Sequence, residues 1–98
     1  MTEPKDILRR TAKMVSKKRS KTHGGYKYTF LRIAEMWGAY LGCELEPKDV
    51  AVMMVLLKAI RSQSGVFNMD DYNDMAGYAA IGGALAEHDE SRMTRLEE

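Results

Sequence analysis

Cysteine occurs once in the 98-residue chain, at Cys43, which excludes an intramolecular disulfide framework and a multi-cysteine metal site. That scarcity suits a reducing compartment. Long apolar runs are missing as well. None approaches the roughly 20 residues that a membrane-spanning helix needs, and Met1-Thr2-Glu3-Pro4-Lys5-Asp6 lacks the apolar stretch of a signal peptide. These absences set the expectation of a cytoplasmic protein with no membrane partner. The Gly-Lys-Ser/Thr element of a P-loop is absent too, so a phosphate site here must be built by other means. Neither a fixed-period repeat nor a linker interrupts the chain, and residues 1–98 read as one domain.

What is present is the balance of a folded protein: 45% hydrophobic and 30% charged residues. The net charge of +1 conceals a segregation. Residues 1–30 carry nine Lys/Arg against Glu3 and Asp6, residues 31–63 hold four of each sign, and residues 64–98 carry eight acids against Arg92 and Arg95. Either the two ends neutralise each other, within a subunit or between subunits, or the basic end meets a polyanion. A helical chain of this size buries a modest share of its surface, so a homo-oligomer is expected before any motif is considered.

Ile7, Leu8, Thr11, Met14 and Val15 recur at spacings of three and four, which predicts an amphipathic helix over residues 3–19 with Pro4 in its first turn and a basic opposite face. Phe30, Ile33, Trp37 and Leu41 share one face of a second helix, from about Tyr28 to Gly42. Pro47 and Asp49 start a third. Its run Val50 to Ile60 is apolar almost all round except for Lys58, which predicts the central, most buried helix. Gly65 ends it, and Val66-Phe67 reads as extended or as a hydrophobic plug. Asn68 or Asp70 caps a last helix reaching at least Glu87, with a polar tail over residues 89–98. The small residues from Ala76 to Ala84 cost helix propensity, about 1 kcal/mol for each glycine against alanine. Close packing, within the chain or across a subunit boundary, is the usual compensation. The fold class is therefore all-α: a compact bundle of about four helices with a basic N-terminal helix over residues 3–19.

Lys58 and Arg61 lie one turn apart, and Asp71, Asp74 and Tyr78 do the same on the following helix. A short connection makes the two helices antiparallel, so the five groups converge either as an inter-helical ion-pair network or as a phosphate site. A lysine inside so apolar a run needs a partner or a purpose. His23-Gly24-Gly25 offers unobstructed backbone N–H groups between lysines, among them Lys27, which suits phosphate. Tyr26 and Tyr28 are candidates to stack on a base, with core packing as the alternative. For metal, Asp71 and Asp74 with Glu35 would supply three oxygens for magnesium. Cys43, beside acids, and the distant His88 give little support for nucleophilic catalysis. The eight methionines read as core filler.

Three stretches, Phe30 to Gly42, Asp49 to Arg61 and Asp74 to Ala80, together resemble a family of small bacteriophage and prophage proteins of unassigned function. The resemblance covers roughly residues 22–85. It departs where His23-Gly24-Gly25-Tyr26 replaces a tyrosine-led segment and Thr29 replaces a frequent asparagine. More distantly, the order of glycine turn, Trp37 helix, Lys58 with Arg61, and Asp71-x-x-Asp74 with Tyr78 is similar to the MazG-like nucleotide pyrophosphohydrolases. Those enzymes hold magnesium with one Glu-x-x-Glu and one Glu-x-x-Asp pair. Here Asp71-x-x-Asp74 matches the second pair and lone Glu35 stands for the first. The resemblance therefore implies nucleotide binding and weakens catalysis. By analogy with viral proteins that sequester immune signals, the first expectation is a non-enzymatic, oligomeric phage protein that binds a cyclic nucleotide or an ADP-ribose-type molecule. A magnesium-dependent pyrophosphohydrolase is the second expectation. A protein or nucleic-acid binding module led by the basic N-terminal helix is the third.

Overall fold

The structure is a computed structural model. It describes residues 1–18 and 25–97, with side chains described over residues 1–16 and 25–89. Four helices account for the described elements: α1 (Pro4–Lys13, continuing as a π-helical turn, Met14–Lys18), α2 (Tyr26–Leu41), α3 (Pro47–Ser62) and α4 (Met69–Glu97). No strand occurs among the described residues. The all-α expectation is met, and the helix starts follow local chemistry. Pro4 and Pro47 occupy the first turns of α1 and α3, where a missing N–H leaves no hydrogen bond unmade. The backbone N–H groups of Glu3 and Glu46 donate to the carboxylates of Asp6 (3.1 Å) and Asp49 (2.9 Å). Asn68 caps α4, its side-chain oxygen accepting from the Asp70 N–H at 3.0 Å.

The turn between α2 and α3 is unusually tight. Gly42 adopts the left-handed conformation at φ 72°. The N–H groups of Gly42 and Cys43 both donate to the Gly38 carbonyl, at 2.8 and 3.0 Å. The returning chain passes so close that a Cβ on Gly38 would lie 2.7 Å from the Cys43 carbonyl oxygen.

α3 and α4 form an antiparallel pair in which Ala51 faces Gly82 and Lys58 faces Asp74. Phe30 and Ala34 of α2, Val50 and Ala51 of α3, and Ile81 and Leu85 of α4 make the core. Val15, Tyr26, Trp37 and Tyr78 pack around it. α1 crosses the N-terminal half of α4, with Thr11 and Val15 over Gly77.

Three expectations are corrected. α3 is not covered all round: Val50 and Ala51 are sealed, but Val52, Leu56, Leu57 and Ile60 are exposed, because α2 and α4 cover only part of its circumference. Val66 and Phe67 are neither extended strand nor plug; both are exposed in the connection to α4. The second helix starts at Tyr26 rather than Tyr28, so Tyr26 and Lys27 lie in the first turn of α2 rather than in a loop. The expected close packing along Ala76 to Ala84 falls, within the chain, at Gly77 and Gly82, while Ala80 and Gly83 face outward. The acidic tail also continues α4 to Glu97.

Candidate functional site

The antiparallel pairing of α3 and α4 carries Lys58 to Asp74, Nζ to Oδ2 3.0 Å, with both side chains about four-fifths buried (18% and 23% exposed). Arg61, one turn further, is exposed and makes no ion pair among the described residues. Asp71 is buried in the first turn of α4, where its carboxylate sits at the positive end of the helix dipole and its N–H donates to the Asn68 carbonyl at 3.1 Å. The expected five-group cluster thus contracts to one pair. Tyr78 tilts against Phe30, with ring centroids 6.2 Å apart, and closes the apolar side.

On α4 beside that pair lies a crevice against α1, lined by Thr11, Met14, Asn73, Asp74, Gly77 and Tyr78 among others. Its volume, about 30 Å³, matches one water-sized group. Thr11 reaches across it, its hydroxyl donating to the Ile7 carbonyl at 2.8 Å and standing 3.4 Å from the Asn73 carbonyl. Asn73 is 5% exposed, and its side-chain oxygen is buried without a hydrogen-bond partner. An orphaned buried acceptor costs about 1–3 kcal/mol, so it asks for a donor. Sequence reasoning passed over Asn73. The signal was available: residues 73, 77 and 81 fall on one stripe of α4, and a polar residue in register with Gly77 and Ile81 faces inward.

The remaining candidates disperse. Gly25 precedes α2 in extended conformation, with open space where a side chain would be. Lys27 is exposed. Tyr26 packs against the core, and exposed Tyr28 is engaged by Arg32, whose guanidinium donates to the Tyr28 hydroxyl at 2.9 Å and lies 5.7 Å from its ring centroid. That hydrogen bond raises the Arg32 pKa further above its ordinary value. His23 and Gly24 lie outside the described residues. Glu35 lines a separate groove with Glu44 and Glu46 beside the α2–α3 turn. No group of three His, Cys, Asp or Glu able to hold a metal occurs among the described residues, so Glu35, Asp71 and Asp74 are not assembled as a magnesium set.

The chain is all-α, and its sequence places it with bacteriophage proteins. It belongs to the family described as Domain of unknown function (DUF6378), which matches residues 6–86. It is 41% identical over 76 residues to the Gene 55 protein of Mycobacterium phage L5, covering 76% of this chain and 49% of that protein. It is 34% identical over 73 residues to the Gene 55 protein of Mycobacterium phage D29, covering 74% and 48%. The chain thus spans about half the length of these relatives. No solved structure matches. The similarity to MazG-like enzymes has no counterpart in these findings. No described helix is long and apolar enough to cross a membrane.

Proposed function

We propose that the protein is a non-enzymatic binder of a nucleotide-derived small molecule, and that the crevice between α1 and α4 reads the ligand's ribose hydroxyls. The observation that carries the reading is the unpartnered, buried side-chain oxygen of Asn73, a residue that lines the crevice together with Asp74. An acceptor without a partner suits a hydroxyl donor such as that of a ribose. The crevice has room for a single hydroxyl, so the rest of the nucleotide stays outside it. Base and phosphate lie outside, with the Lys58 ammonium on the phosphate side, where it exchanges part of its contact with Asp74 for the ligand.

The test is to incubate the protein with a library of nucleotides and nucleotide signals, remove unbound material, denature, and identify what is retained. Recovery of intact ligand is expected. Asn73→Leu, which removes the acceptor at similar size, should weaken retention about tenfold or more while leaving the helical signal intact. Equal binding of ribose and 2′,3′-dideoxy forms, or recovery of hydrolysed product alone, overturns the reading.

The exposed Arg10 and Lys13 of α1 support a second reading, binding of a polyanion. It has its own signature, affinity falling steeply with salt.

A further inference from the structure

The outer face of α3 is apolar and uncovered by the rest of the described bundle. At 100° per residue, Val52, Met53, Leu56, Leu57 and Ile60 occupy one continuous arc of about 140°, facing away from Ala51 and Lys58. All but half-buried Met53 are exposed, Ile60 to 68%. Beside the arc, Trp37, Tyr40 and Leu41 of α2 meet Met53 around an apolar hollow of about 300 Å³.

We infer that this face is covered by a second copy of the chain, α3 against α3, antiparallel about a two-fold axis near Leu56. The distribution of charge selects this occupant. Within the arc the only charged residue is Asp49 at the N-terminal end, and just beyond its other end stands Arg61, exposed and without an ion pair among the described residues. A partner with a charge pattern of its own would find nothing in the middle of the face to match. A second copy turned end for end sets Arg61 near the partner copy's acidic end, and symmetry makes that contact twice. The same orientation opposes the two helix dipoles favourably. The apolar stripe, repeating at four residues over two turns, has the spacing that ridge-into-groove packing requires. The Arg61 expected at a ligand site is in this arrangement an interface residue.

The inference does not depend on the ligand reading, because the arc and the crevice occupy different sides of the bundle. Light scattering and sedimentation of the full chain over a range of concentrations should give twice the chain mass. Leu56→Glu with Ile60→Glu should return the monomer with an unchanged helical signal, since both side chains are exposed and support no packing within the chain. Leu8→Glu, at an exposed apolar position on α1, should leave the dimer intact. In a Cys43→Ser background, Leu56→Cys should cross-link two chains under mild oxidation, because a residue on the axis meets its own copy. A monomer at every concentration would overturn the proposal and assign the face to other chain, such as the additional length that the phage relatives carry. A dimer that survives the double glutamate variant would overturn it equally.

Discussion

Two glycines on α4 mark two seams of different character. At Gly82 the helix meets α3 so closely that a Cβ placed there would lie 3.2 Å from the Ala51 Cβ. Beside that contact Val50 and Ala51 have no measurable exposure. At Gly77 the same helix meets α1 more loosely: a Cβ would stand 3.5 Å from methyl groups of Thr11 and Val15. The second seam holds a hydroxyl, an orphaned amide oxygen and a small crevice. The first seam has one way to pack. The second has slack and unspent hydrogen-bonding capacity, the combination expected where a ligand is admitted rather than where a fold is held.

The sharpest way to break the contrast is to overfill the tight seam. Ala51→Leu should destabilise the protein by about 1–3 kcal/mol, lowering the melting temperature by roughly 5–20 °C in a scanning calorimeter. A milder probe compares glycines. Gly77→Ala should stabilise by about 0.5–1 kcal/mol, because alanine favours the helix and 3.5 Å is an ordinary contact distance. Gly82→Ala should forfeit that gain, since the Ala51 Cβ cannot retreat without moving α3. Denaturant midpoints that rank Gly82→Ala above Gly77→Ala would reverse the assignment of tight and loose. The smallest effect separates two cations. Lys58→Ala leaves a mostly buried carboxylate unpaired and should cost on the order of 1 kcal/mol, while Arg61→Ala should stay within about 0.5 kcal/mol in a dilute, monomeric sample. A larger loss at Arg61 under those conditions would mean that it pairs within the chain after all.

Much of the fold was legible because helix ends are written locally. Pro4, Pro47, Asp49, Gly42 and Asn68 each act within a turn of where they stand, and their consequences need no knowledge of the rest of the chain. The Lys58–Asp74 pair was legible for a related reason, since a short connection fixes the register of the two helices. The error on α3 has a different origin. Apolarity around the whole circumference tells that a helix will be covered, not by what, and a four-helix chain has too few elements to surround it. Asn73 was legible as an inward-facing position on the stripe of Gly77 and Ile81, but what covers it, α1, crosses α4 from 62 residues away. No local pattern announces that crossing.

The meeting of Thr11 with Asn73 also has a consequence in time. The five residues between α2 and α3 close a short loop, whereas the Thr11–Asn73 contact closes one of 62 residues, at an entropic disadvantage of about 2 kcal/mol. The α2–α3 and α3–α4 hairpins form from near neighbours, and α1 docks onto them last. By the same reasoning it is the first element to lift away, in excursions that leave the rest of the core folded. Each excursion widens the crevice beside Asn73, so the docking of α1 governs how far a ligand can enter it.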